Sequence, residues 1–154
     1  MVIQQVAGCV TSSDLQGLLV QKAVAASGIL CSVENPKLEL GDGRVVIRCT
    51  LNVALIPRAP ATVELGVKLR PDGVFVWIQQ VSAKLAFWSF DGNATKDFLL
   101  KKVADSTKGK PGMTVEDGGL LIDLVTVAKR PGITLEGSLK CCDVRTDGIH
   151  FEIG

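Results

Sequence analysis

The sequence predicts an α+β domain built on antiparallel sheet, and three observations carry that expectation. From about residue 45 the apolar residues alternate strictly with their neighbours. Val45, Ile47, Cys49, Leu51, Val53 and Leu55 are interleaved with Arg48, Thr50 and Asn52, and Val63, Leu65, Val67 and Leu69 with Thr62, Glu64 and Lys68. A period of two marks strands with one wet and one dry face. Turns containing Asp-Gly (Gly41-Asp42-Gly43, Pro71-Asp72-Gly73, Asp117-Gly118-Gly119 and Asp147-Gly148) separate the strand-like segments, as hairpins require. Two helical segments interrupt runs of strands rather than alternating with them, which favours α+β with an antiparallel sheet over a parallel α/β fold. No Rossmann or P-loop fingerprint occurs.

Taken in order, Ser12 and Ser13 precede a helix in which Ser13 and Gln16 have capping-box spacing. Leu15, Leu18, Leu19, Ala23 and Ala26 form its apolar stripe, Lys22 must snorkel, and Gly28 stops it. Strands follow on both sides of Gly41–Gly43. Ile56-Pro57-Arg58-Ala59-Pro60 predicts a break, because two prolines remove ladder donors. The strand from Val74 is unusually long: Phe75, Trp77, Gln79, Val81, Ala83, Leu85 and Phe87 share one parity, well beyond the typical length of about six. Such a strand bends or carries a bulge. A second helix spans roughly Thr95 to Ser106, with Leu99, Leu100 and Val103 on its apolar side. Strands over Met113–Glu116, Leu120–Val127, Ile133–Cys142 and Ile149–Ile153 close the chain.

The 154 residues make one domain, 1–154, large enough for a real core. Hydrophobic residues reach 47% and the mean hydropathy is +0.32, yet no apolar run approaches the roughly 18 residues a membrane span needs. The surplus must enter a core, a cavity or an interface. A net charge of +1 supplies no field to recruit nucleic acid, so no nucleic-acid partner is expected. The N-terminal Met-Val-Ile-Gln-Gln-Val lacks the features of a secretory signal. Five cysteines (Cys9, Cys31, Cys49, Cys141, Cys142) without CxxC spacing suit a reduced, cytoplasmic chain.

Chemistry is sparse. His150 lies between Ile149 and Phe151, and no nucleophile or orienting acid is singled out for it, so no enzyme, metal or cofactor is expected. Asp42, Asp72, Asp117 and Asp147 are accounted for by turns. Lys101, Lys102, Lys108 and Lys110 read as a solvated helix face and loop, or as contacts to lipid headgroups worth about 1 kcal/mol each at an anionic surface. Trp88 and Phe90 read as a small cluster beneath the second helix, or as rings at a cavity mouth or membrane interface.

The order of a helix, "VENPKLELGDGRVVIRCTLNVAL", "ATVELGVKLRPDGVFVWIQQVSAKL", the helix "TKDFLLKKVADS" and "MTVEDGGLLIDL" resembles a half-module of the tubular lipid-binding (TULIP-like) proteins, particularly the small bacterial phospholipid-binding type, over residues 12–154. The resemblance implies a long N-terminal helix packed in a strongly curved antiparallel sheet, with the second helix between two β-meanders. It also implies non-enzymatic binding of phospholipid or another long apolar ligand between helix and sheet. The expected lining is Leu15, Leu18 and Leu19 from the helix, Val63, Leu65, Val67, Phe75, Trp77 and Val81 from the central strands, and Leu120, Ile122 and Leu124 from a later one. The partners expected are an apolar small molecule and a membrane surface met peripherally. The alternative is an assembly module that keeps the fold with a filled core and forms a homo-oligomer.

Overall fold

The computed structural model describes residues 2–28, 31–53, 56–85, 88–89, 92–128 and 134–154. Two strands, β1 (Val2–Ile3) and β2 (Val6–Thr11), precede helix α1 (Ser12–Ala26). Then come β3 (Cys31–Gly41), β4 (Arg44–Val53), β5 (Ile56–Arg70), β6 (Gly73–Leu85), β7 (Trp88–Ser89) and helix α2 (Gly92–Thr107). The chain continues through β8 (Met113–Glu116), β9 (Gly119–Ile122), a short helix α3 (Leu124–Ala128), β10 (Thr134–Leu135), β11 (Leu139–Arg145) and β12 (Gly148–Ile153). This is an α+β arrangement dominated by antiparallel sheet. β3, β4, β5, β6, β9 and β8 lie side by side in a large sheet, with β7 also paired to β6, and β11, β12 and β2 form a small one. The pair β1–β10 is parallel. Among the described residues no helix is long and apolar enough to cross a membrane.

All four Asp-Gly turns join paired strands as expected. Gly43 and Gly118 adopt φ +67° and +80°, which suits glycine in tight hairpins.

The helix expected to open the chain follows β2, because Val6–Thr11 pairs with β12 along the register Val6↔Ile153 to Thr11↔Gly148. Its cap is two residues earlier than Ser13–Gln16 suggests. Thr11 and Asp14 form the capping box, each side chain bonding to the other's backbone amide. Gln16 is thereby released for another task. Its amide donates to the Pro36 carbonyl and accepts from the Leu38 N–H, both at 2.6 Å. Those groups lie within and just after an irregularity in β3 where Asn35 takes φ +48° and the register to β4 shifts between Glu34 and Lys37. At the other end of α1, the Ser27 hydroxyl donates to the Ala23 carbonyl at 2.8 Å and accepts from Val33 N–H at 3.2 Å. α1 therefore covers the outer edge of β3 and satisfies backbone groups that an edge strand otherwise exposes. It packs mainly along β3, with further contacts to β2 and β12. It is a helix of 15 residues docked at a sheet edge, and the sheet is not curled round it as the resemblance implies.

Three further differences have local causes. β5 runs through Pro57 and Pro60, where a break is expected; β6 pairs with it only from Ala61, so the prolines lie where β5 has β4 alone as a neighbour. The expected strand Leu120–Val127 stops at Ile122, because Asp123 caps α3: its carboxylate accepts from the Thr126 N–H and hydroxyl. The final long strand is divided into β10 and β11, with Ile133 outside the described residues.

β6 carries the bulge that its length demands. Glu64 pairs with Gln80 but Leu65 pairs with Ile78, so Gln79 is the extra residue. One inserted residue reverses the parity. On the dry face Val81 therefore continues into Ile78, Val76 and Val74, opposite Val63, Leu65, Val67 and Leu69. Val45, Ala59, Ala61 and Val74, the most buried hydrophobic side chains of the large sheet at 8% exposure or less, belong to this face. In the small sheet, Val144 and Ile153 are equally buried. β11 contacts β5 and β3, and the Gly43 N–H donates to the Val144 carbonyl at 3.4 Å. The core lies where these faces meet, and α2 packs against β6 and β8.

That core is shallow. The chain exposes 10,040 Å², against about 7,500 Å² for a compact monomer of its mass. Among the described residues no large side chain is fully buried, and Leu18, Val20 and Val24 of α1 are 51%, 42% and 71% exposed.

Candidate functional site

Two recesses hold four of the residues that the sequence singles out, Leu15 and Leu124 in one and Phe75 and Trp77 in the other. The first is an apolar cavity of about 460 Å³ between the small sheet, α1 and α3. The small sheet contributes Val10, Ile149, Phe151 and Ile153, which share a face because Val10 pairs with Ile149 and the other two follow at intervals of two. Phe151 lies across Gly8, where an added Cβ would come within 2.6 Å of its ring. Leu15 reaches in from α1, and Leu124 and Val127 from α3. Ile153 is 3% exposed and closes the floor; Val10 and Val127, at 38% and 42%, stand at the mouth. Every lining side chain is hydrocarbon, and such a space holds apolar guests in preference to water.

The second recess is a cleft of about 800 Å³ between α2 and the other face of the large sheet. Its wall is a pair of near-parallel rings, Phe75 and Trp77, with centroids 5.9 Å apart and planes inclined by 18°. Two glycines make this shelf possible. Trp77 covers its cross-strand partner Gly66 and Phe75 covers Gly119, so a side chain at either position would occupy the space of a ring. The Arg70 guanidinium lies 5.1 Å from the Phe75 centroid and is held by Glu116 at 2.7 Å and Asp72 at 3.5 Å. The Glu116 hydrogen bond raises the Arg70 pKa above its already high ordinary value. Lys68, Lys96, Asp97, Leu100, Asp117 and Gly118 complete the cleft, and Ile78, beside the bulge at Gln79, also lines it.

The expected lining is thus distributed over several places. Leu15 and Leu124 meet in the cavity, the latter from a helix rather than a strand. Leu19 is half-buried on the inward side of α1, and Leu18 faces outward. Val63, Leu65, Val67, Val81, Leu120 and Ile122 share the dry face of the large sheet. Phe75 and Trp77 lie on the opposite face, a correction forced by the bulge at Gln79. Lys101, Lys102, Lys108 and Lys110 are exposed and none lines either recess. Trp88 enters through the backbone of β7 only, and Phe90 lies outside the described residues.

Sequence reasoning missed the cluster around His150. On the wet face of the small sheet its Nε2 lies 3.1 Å from both Asp147 carboxylate oxygens and 3.6 Å from Cys9 Sγ. The hydrogen bond from His150 holds the Asp147 carboxyl below the usual carboxylate range. Both the carboxylate and the thiol meet the same ring nitrogen, so the imidazole does not bridge acid and thiol as a relay requires. Only the register His150↔Cys9 reveals the pair, and no sequence spacing signals it. Among the described residues no group of three or more His, Cys, Asp or Glu side chains has metal-binding geometry. Adjacent Cys141 and Cys142 face opposite sides, opposite Glu152 and Phe151. Burial raises the pKa of Cys49 and Cys142, and burial together with the Asp143 carboxylate does so for Cys141.

Neither a family model, nor a curated protein, nor a solved structure matches the chain.

Proposed function

We propose that this chain is a non-catalytic binder of long apolar molecules, a fatty acyl chain foremost, which it takes into the cavity between α1, α3 and the small sheet. The observation that carries the reading is the composition of that cavity: seven hydrocarbon side chains around about 460 Å³, within the range of roughly 300–1,000 Å³ typical of ligand sites. Each methylene buried there contributes about 0.8 kcal/mol, so ten carbons supply about 8 kcal/mol before ordering costs. Binding then needs no polar recognition and no cofactor. A groove between a helix and a sheet is also what the TULIP-like resemblance implies, and membership of that superfamily is part of the proposal. Contact with a membrane surface through the exposed lysines of α2 and the following loop would complete a peripheral, cytoplasmic role.

Extraction of the purified chain followed by mass spectrometry should release acyl lipid. Titration with dodecanoate should saturate at one site, and Val10→Trp, which fills the mouth from a half-exposed position, should abolish that binding while leaving the melting temperature within about 2 °C. A clean extract together with no dodecanoate binding refutes the reading.

One observation favours a second reading, an assembly module. The excess of exposed surface and the valines on the outer side of α1 suit a face covered by another copy. A dimer by light scattering, with no lipid in the extract, would select it.

A further inference from the structure

The aromatic cleft has a chemistry that the apolar cavity lacks. Phe75 and Trp77 stack on one another with Arg70 over Phe75, and Leu100 of α2 lines the same space, which leaves Trp77 and Leu100 as the apolar walls of a slot suited to a flat body. Lys68 is the cross-strand partner of Phe75 and so stands on the face of the shelf. Lys96 precedes Leu100 by one helical turn and shares its side of α2. Arg70 is already engaged by Glu116 and Asp72, whereas Lys68 and Lys96 make no ion pair among the described residues. Two cations at an aromatic slot call for an anionic group on the flat body. Asp97 and Asp117 line the same cleft and oppose a second negative charge.

From this juxtaposition we infer that the cleft between α2 and the large sheet is a second binding site, specific for a planar aromatic molecule bearing one negative charge. The ring system lies against Trp77 and Leu100, and the anion is held by Lys68 and Lys96. This site shares no residue with the apolar cavity, so it stands independently of the acyl-chain reading.

The test is calorimetric titration of the full chain with naphthalene-2-sulfonate, naphthalene-2,6-disulfonate, the neutral naphthalene-2-methanol and sodium sulfate. The monosulfonate should bind at one site, the neutral alcohol and the disulfonate each about fivefold or more weaker, and sulfate not measurably. Lys96→Glu and Lys68→Glu should each weaken the monosulfonate about tenfold, without changing the affinity for the alcohol or the melting temperature. Val10→Trp should leave monosulfonate binding unchanged, which separates this site from the cavity. In a Trp88→Phe background Trp77 is the one indole left of the chain's two, and bound naphthalene should quench it. The two indole N–H resonances of the unsubstituted chain give the same readout, one moving on titration. Equal affinity for charged and neutral ligands, indifference to Lys96→Glu, or a saturating ligand that leaves Trp77 unperturbed would each overturn the assignment.

Discussion

Replacing Gln16 tests how α1 is held on the sheet, and hence how one wall of the cavity is positioned. The native amide makes two hydrogen bonds of 2.6 Å to the β3 backbone, donating to Pro36 and accepting from Leu38. Each contributes about 1 kcal/mol net, and orphaning its backbone partner adds up to a further 1–3 kcal/mol when water is excluded. Both bonds are only partly buried, so water partly compensates and the lower half of that range applies. Gln16→Ala should therefore cost about 2–3 kcal/mol, which for a chain of this length lowers the melting temperature by roughly 5–10 °C. Gln16→Met retains the length and apolar stem while removing the donor and acceptor, so it should lose nearly as much. Thermal melts measure the sum, and amide hydrogen exchange at Leu38 localises it, with an expected acceleration of about 30- to 100-fold. If Gln16→Met melts within about 1 °C of the wild type and Leu38 exchanges at the native rate, α1 is held by apolar contact alone and the edge-capping argument fails.

Two further outcomes follow from local geometry. Gly66→Ala places a methyl group where the Trp77 ring lies, so it should cost about 1–3 kcal/mol and shift tryptophan emission to the red as the ring lifts; a rise in melting temperature, as relief of glycine entropy alone would give, contradicts the shelf geometry. Asp147 has its folded-state pKa lowered by His150, so its contribution to stability is fully present above the usual carboxylate range and is lost as the pH falls through the lowered value. Asp147→Asn should be less stable than the wild type near neutrality and converge with it in acid; a difference that grows on acidification has the wrong sign for this pairing.

Much of the architecture is legible along the chain because it depends on short-range chemistry. Alternation marks β4 and β5, Asp-Gly pairs mark the hairpins, and the spacing of Leu99, Leu100 and Val103 marks α2. What escapes is set by single residues with two competing uses. Gln16 reads as half of a cap, but Thr11 and Asp14 occupy that role and Gln16 bridges to β3 instead. Asp123 reads as one polar position in a strand, and acts as the cap that turns Leu124 and Val127 into a helix lining the cavity. Of the expected lining, Leu15 and Leu124 come together, while the central-strand residues divide between two faces.

The division at β6 states the general point. The sequence by itself determined that one long strand starts at Val74 with apolar residues of both parities near its start, since alternation is a property of neighbours. Which parity faces the core depends on the partner strand: pairing of Glu64 with Gln80 and of Leu65 with Ile78 inserts Gln79 and reverses every side chain before it. Only the tertiary structure decided that Phe75 and Trp77 form a shelf under α2 rather than a wall of the apolar core, because register is settled by contacts between segments remote along the chain.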